Sequence, residues 1–548
     1  MLYHVLAVLL GGLSLAESFH VDPIRRMSVA KPRLRMASVD RPSSPPTAVS
    51  SAVVHLGKEE TFNWNKQVPC ALCRAHRSRE GILGKDLVLW RGKDKRWTCF
   101  DDRCPHRAAP LTEGRVEDDG SILCAYHAWR FDADGKCLSI PQSDSGGRDE
   151  AQPKACAKVY PTQVAQGVIW VWGENGPDAA LESALTPPAL VPELEDKELL
   201  ESGKIINGGG THNDLAYGWD TFMENVVDSS HAPSAHHGIA GDRYDDVGPL
   251  HLELDENWPA TPARGFRFNF RDQPPGTSSA CIFVPPTLVI NETDDPAGGT
   301  VKLFLYATPS RPGWCRILTR YIYVHRHAPK SKEAKELIME NKRLGRKPWA
   351  LATALAVSSK LPAWIEHPLG NLFLYQDLVF LHHQEKILAS AGYDSSTYSQ
   401  AVYVPATSDR AVMALRQWIT KFGSGGPTWD KGCDPTLPPR ERNREALFNV
   451  YENHTKNCST CRGALKNIEK TLAAAKVSAV VSFAWAILRG ARATAIAASL
   501  SDPVLNTTTV RAMLPALALM LASLGATKAI QQFHDLFYVY SFHHQDNP

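Results

Sequence analysis

The chain holds 548 residues, and 60 Lys and Arg against 58 Asp and Glu leave a formal net charge of +2. A length of this order accommodates two or three domains, and the near balance of charge removes the electrostatic case for a nucleic-acid partner. Twelve Cys in so long a chain do not make the disulfide framework of a small secreted protein.

The N-terminus opens on a short apolar run, Leu6 to Leu15, closed by small and polar residues at Ala16 to Ser18. About ten apolar residues suit the core of a signal peptide and are too few to cross a bilayer as a helix. From Phe19 to Ser50 the chain carries Arg25, Arg26, Lys31, Arg33, Arg35 and Arg41 against only Asp22 and Asp40, with many Ser and Pro. That composition is that of a transit peptide. The pair resembles the bipartite leader of proteins sent into plastids bounded by extra membranes; an ordinary secretory signal followed by a disordered linker is the alternative. Residues 1–50 are expected to lie outside the fold.

Trp64 opens the globular part. Leu87 to Trp90 and Trp97 to Phe100 read as strands of a small antiparallel sheet, and GVIWVWG from Gly167 to Gly173 as its last strand, so this first domain spans 60–177. Within it, CPHRAAPLTEGRVEDDGSILCAYH places Cys104 and His106 in one turn and Cys124 and His127 in another. Two thiolates and two imidazoles are the ligand set of a Rieske cluster, two irons and two sulfides with Cys on one iron and His on the other. Zinc accepts the same donors, but zinc fingers group Cys with Cys and His with His, whereas each turn here offers one of each. Cys70 and Cys73 form a C-x-x-C with no partner pair at zinc spacing and read as incidental.

A Pro-rich linker at 187–192 leads to ENVVDSSHAPSAHHG. His231 and His236 are five apart, with Asp228 three before the first. On a helix, or one opened by Pro233, that spacing turns both imidazoles toward one point. Two His and a carboxylate on one face of iron are the ligands of non-haem ferrous oxygenases; a His-rich surface helix is the bland reading. The third ligand must come from further along, and Asp377 in NLFLYQDLVFLHHQEKIL is the best candidate, because a carboxylate inside an apolar run is costly to bury without a partner. Glu385, Asp294 and Asp295 are rivals. Alternating runs at Cys281 to Ile290 and Val301 to Tyr306 suit a large curved antiparallel sheet, in a domain over 190–400.

The extension over 401–470 carries Cys458-x-x-Cys461. Two Ala- and Leu-rich segments follow within 471–530, near Leu472 to Leu488 and Ala512 to Ala526, then a tail over 531–548 rich in aromatic residues. Each segment is shorter than the roughly 20 apolar residues of a full span. They read as a membrane hairpin with snorkelling Lys and Arg at its ends, or else as buried helices. The C-x-x-C has no second pair nearby, which disfavours zinc and suits a reversible disulfide exchanged with a thioredoxin-like partner.

These motifs together resemble a known group. CPHRAAPL and CAYHAWRFDADGKC are similar to the two cluster-binding loops of Rieske-type ring oxygenases, with Ala128 where the family usually has Gly. ENVVDSSHAPSAH matches the family pattern N-x-x-D-x-x-H-x4-H, with Asn225, Asp228, His231 and His236 on the matching positions and His237 one residue beyond. With the late C-x-x-C and the C-terminal apolar segments, residues 60–548 resemble the pheophorbide a oxygenase group of plastid proteins. The resemblance implies an α+β chain, an all-β Rieske domain followed by a helix-grip domain with mononuclear ferrous iron on His231, His236 and Asp377. It also implies a homotrimer in which Asp228 bridges the two centres between subunits. The expected reaction is ferredoxin-dependent insertion of oxygen from O2 into a chlorophyll-derived tetrapyrrole at a plastid membrane, foremost the ring opening of pheophorbide a. The alternatives are oxidation of another tetrapyrrole, or a redox-sensing role in a membrane complex; an intact iron triad favours catalysis.

Overall fold

The computed structural model describes residues 68–548 apart from 73–76, 238–241, 272–277, 296–297, 329–330, 344–358, 500–504, 541–543 and 545–548. The leader, Trp64 and Cys73 therefore lie outside the described residues.

The first part is all β, in three small antiparallel sheets. The strand expected around Leu87 spans Lys85–Arg91 and pairs on one side with Arg77–Ile82 and on the other with Trp97–Asp101, which in turn pairs with Val159–Tyr160. The first hairpin turns through Leu83 and Gly84, both at positive φ, the mirror-image turn whose twist matches that of its strands. Val68–Leu72, Val168–Val171 and Thr162–Ala165 make the second sheet. The third consists of four short strands, Arg115–Val116, Ile122–Leu123, Arg130–Phe131 and Cys137–Ser139. Their apolar side chains join Trp90, Phe100 and Leu111 in one core that also takes in Cys104 and Cys124.

The second part is built on a seven-stranded antiparallel sheet. Six strands, Leu252–Leu254, Phe266–Phe270, Ser279–Val284, Leu288–Asp295, Gly299–Arg311 and Trp314–His325, follow one another as a meander, and Ile205–Leu215 pairs with the last. The apolar run from Cys281 to Ile290 is two strands rather than one, parted at Pro285 and Pro286, because proline has no N–H to donate to a ladder. Helix α1, Trp219–Val227, packs across the central strands, and α2, Ala363–Ser390, packs on Ile205–Leu215. Asn371 sets the rotation of α2, since its side-chain oxygen accepts from Thr211 Oγ1 (2.8 Å) and Asn213 Nδ2 (2.7 Å) in the interior.

Helix α3, Arg410–Lys421, lies on α1, so the compact core runs past residue 400. Arg416, 6% exposed, joins the two helices through Asp220 (2.6 Å) and through Glu224, which also accepts from Gln384 and Tyr398. A buried guanidinium with two carboxylates and further donors is the kind of network that tolerates burial.

Two long helices end the chain, α4 over Ser459–Ser499 (41 residues) and α5 over Leu505–Asp535 (31 residues). At 1.5 Å per residue they extend about 60 and 45 Å, well beyond the segments expected from composition. Lys476 and Arg489 project from α4 without breaking its backbone ladder, and Pro515 is accommodated inside α5. The two helices pack on each other, with Ser478 and Ser523 hydroxyls 3.0 Å apart. Both are long and apolar enough to cross a bilayer, and Val480, Leu488 and Leu521 stand more than 60% exposed.

Candidate active site

The four cluster candidates sit on two loops with the same backbone wiring. In the first, Cys104 N–H donates to Ala109 O (2.9 Å) and Ala108 N–H to Cys104 O (3.0 Å); in the second, Cys124 N–H donates to Trp129 O (2.8 Å) and Ala128 N–H to Cys124 O (2.9 Å). Each loop turns at a residue of positive φ, Ala108 at 60° and Ala128 at 58°. The left-handed conformation costs an L-residue such as Ala128 about 1–2 kcal/mol, which a glycine would not incur. Both sulfurs point into the core, where Cys104 and Cys124 are 2% and 1% exposed. His106 and His127 face the other way, toward solvent, with ring centroids 4.5 Å apart. Trp129 stacks on His106 at 4.7 Å and Tyr126 tilts over His127 at 4.0 Å.

These residues fit a Rieske cluster. Burial pushes the Cys104 thiol up to about 12, so its thiolate persists at neutral pH only if cationic iron shares the pocket. With sulfur inside and imidazole outside, a bound cluster would have its His-held iron toward the surface.

The second centre draws its groups from two distant elements. After α1 the chain turns at Asp228, whose carboxylate caps a short helical turn by accepting from Ser230 N (2.8 Å) and Oγ (2.5 Å). Pro233 then starts the four-residue helix Ala232–Ala235, and His231 and His236 flank it with ring centroids 5.4 Å apart. Asp377 reaches them from α2: its Oδ2 lies 3.2 Å from His236 Nε2 and 3.8 Å from His231 Nε2. The three form a group able to hold one metal ion.

Their outer partners fix which nitrogen faces the site. His236 Nδ1 is 2.9 Å from the Gln376 side-chain oxygen, and His231 Nδ1 meets the Asp228 carbonyl. Oxygens of this kind only accept, so both Nδ1 atoms carry the proton and both Nε2 lone pairs are presented to Asp377. His236 Nε2 is fully buried and makes no hydrogen bond among the described residues despite its closeness to the carboxylate. A buried lone pair left in this way fits a metal ion. Phe373, one helical turn before Asp377, stacks on His236 at 3.7 Å.

The rival ligands are engaged elsewhere. Glu385 accepts from Gly218 N and pairs with Lys386, Asp294 holds Ser278 and Thr300, and Asp295 accepts from Tyr323. His237 Nδ1 accepts from Arg243 N instead of joining the trio. Gln376 was not anticipated from sequence; its only signal was being a polar residue beside Asp377 in an apolar run.

A second constellation also escaped the sequence reading. Cys458 and Cys461, at the start of α4, meet His367 of α2 and His454, all four buried and within 4.8 Å of one another. The two-cysteine motif therefore does not stand alone. The spacing His454-x3-Cys458-x2-Cys461 was the available signal, since positions i, i+4 and i+7 share a helix face.

Residues 69–161 match the family model described as the Rieske [2Fe-2S] domain, and residues 283–394 the one described as pheophorbide a oxygenase. The chain is 34% identical to the chloroplastic pheophorbide a oxygenase of Oryza sativa subsp. japonica, over 73% of this chain and 72% of that protein. It is 29% identical to the chloroplastic flavonoid 8-hydroxylase 2 of Ocimum basilicum, over 89% of this chain and 87% of that one. The chloroplastic protochlorophyllide-dependent translocon component 52 of Arabidopsis thaliana is 28% identical, over 74% and 73% respectively. Among solved structures, dicamba monooxygenase bound to dicamba aligns with a TM-score of 0.43 at 18% identity, covering 67% of this chain and 99% of that one. With the two ligand loops and the pheophorbide a oxygenase relatives in view, the chain belongs to the Rieske-type non-haem iron oxygenases, in the pheophorbide a oxygenase family.

Proposed function

We propose that the protein is a ferredoxin-dependent oxygenase of a plastid membrane that inserts oxygen into a chlorophyll-derived tetrapyrrole, with ring opening of pheophorbide a as its reaction. The observation that carries this reading is the convergence of His231, His236 and Asp377 in a chain 34% identical to a pheophorbide a oxygenase. Plastid targeting is supported by relatives named chloroplastic, and membrane attachment by the exposed apolar faces of α4 and α5.

When bound, the cluster supplies single electrons and the ferrous centre supplies dioxygen chemistry. Cys104 and Cys124 would hold the cluster from the core side, while His106 and His127 would form the outward edge open to a donor. Gln376 and the Asp228 carbonyl keep protons on the far nitrogens of His236 and His231. Three protein ligands leave room on the metal for reactants. In the trimer implied by the family, the Asp228 carboxylate would lie on the route between one subunit's cluster and its neighbour's iron.

One comparison favours a second reading, hydroxylation of a flavonoid, because the flavonoid 8-hydroxylase matches over the larger share of the chain. The experiment is to incubate purified full-length protein, reduced ferredoxin and O2 with pheophorbide a, chlorophyllide a, protochlorophyllide and a flavone, and to read products by mass. A ring-opened product from pheophorbide a alone is the expected result. Turnover of the flavone with none of the tetrapyrroles would replace this reading with the second, and inertness toward all four would favour the redox-sensing role.

A further inference from the structure

The buried group at the root of α4 has the form of a closed metal site. His454 comes from the π turn Tyr451–Thr455, Cys458 directly precedes α4 and Cys461 lies in its first turn. The fourth member, His367, arrives from the beginning of α2. Cys461 Sγ lies 3.3 Å from His454 Nε2 and 3.4 Å from His367 Nδ1, and Cys458 Sγ lies 3.5 Å from the same His367 nitrogen. Four donors placed around one zinc ion at the usual bond lengths, about 2.3 Å to sulfur and 2.0–2.1 Å to nitrogen, are separated by sulfur-to-nitrogen edges of roughly 3.6 Å. The three observed spacings, 3.3–3.5 Å, lie close to those edges.

The outer contact of His454 points the same way. His454 Nδ1 donates to the His212 carbonyl at 2.6 Å, which leaves the Nε2 lone pair directed at Cys461. This is the hydrogen bond that commonly orients a metal-bound imidazole. His367 turns Nδ1 to both sulfurs, while its Nε2 is buried without a hydrogen-bond partner among the described residues. All four are at most 4% exposed, and Phe533, Phe537, Leu465 and Trp364 pack with the two cysteines. A site with four protein donors and no opening is structural rather than catalytic. Its burial also weighs against simple exchange with a thioredoxin-like partner, because an incoming thiolate must reach a sulfur.

We propose that His367, His454, Cys458 and Cys461 bind a structural zinc ion that fastens the apolar helix α4 to α2, the helix carrying Asp377. The ion joins the roots of the two elements and takes no part in electron transfer. This inference does not depend on the identity of the substrate.

The test uses the full chain, purified in detergent under anaerobic conditions and counted for zinc and iron by mass spectrometry. Wild type is expected to hold about one equivalent of zinc, and Cys461→Ser and His367→Ala to lose it, with iron content and the cluster's visible spectrum retained. Replacing zinc by cobalt(II) in wild type should give the intense visible bands of a tetrahedral ion and sulfur-to-cobalt charge transfer in the near ultraviolet; this readout does not rely on any variant folding. His454→Cys, which keeps four donors, should retain the metal. A zinc-free wild type with Cys458 and Cys461 in a disulfide would overturn the proposal and restore the thiol-switch reading. So would zinc that persists undiminished in Cys461→Ser, or cobalt bands absent from wild type. Failure of every oxygenase assay would leave these results unchanged, so the two readings stand or fall separately.

Discussion

Replacing Gln376 by Leu removes the acceptor for His236 Nδ1 without touching a metal ligand. The imidazole is fully buried, so water cannot take the place of the lost partner, and leaving a buried N–H unsatisfied costs about 1–3 kcal/mol. That cost weighs on the one ring orientation in which Nε2 faces Asp377. At about 1.4 kcal/mol per factor of ten it corresponds to roughly a 10- to 100-fold loss in iron affinity, the range typical of outer partners of metal-bound His. Phe373 stacks on the ring at 3.7 Å and restrains its tilt but not a flip about its own axis, so we expect the lower half of that range. The assay is an anaerobic ferrous titration against a chelator, on protein whose mononuclear site has been emptied and whose cluster absorbance serves as the internal reference. Gln376→Glu keeps an acceptor and should bind within a few-fold of wild type. Ferrous affinity in Gln376→Leu within about twofold of wild type, with the cluster spectrum intact, would refute the assignment of Gln376 as a positioning residue.

Asp377→Ala should lower mononuclear iron while the cluster spectrum stays unchanged, since the two donor sets come from separate parts of the fold; iron retained with activity would return Glu385 or Asp294 to consideration. Asp228→Asn preserves the acceptor for Ser230, so both metals should remain while turnover falls by at least tenfold, and normal turnover would remove the bridging role. Arg416→Met strands Glu224 and Asp220 at the contact of α1 and α3. Gln384 and Tyr398 still donate to Glu224, so the loss should fall near 3 kcal/mol of the roughly 3–5 kcal/mol expected for a broken buried pair, read as a lowered unfolding midpoint. Ala128→Gly relieves a backbone held at φ 58° and should stabilise the loop by up to about 1 kcal/mol, seen as later loss of cluster absorbance on heating; earlier loss would contradict it.

The sequence by itself determined what is local. Each cluster loop brings its Cys and His together within four residues, and its turn is set by the same residues, so Cys104, His106, Cys124 and His127 were legible without a fold. His231 and His236 were legible for the same reason, being joined through one short helix with Pro233 in its first turn. Asp377 was reachable because an acid in an apolar run demands a partner. Tertiary structure decided what depends on chain segments meeting across long separations. Gln376 finds His236 at a separation of 140 residues, and His367 meets Cys458 and Cys461 at 91 and 94. A glutamine or histidine in a helix carries no local mark of the partner it will face, and only the docking of α2 between the sheet and α4 gives these side chains their roles. The two C-terminal helices show the same division: their apolar character was plain in the composition, but their length came from continuous backbone hydrogen bonding through residues that a hydropathy reading takes as interruptions.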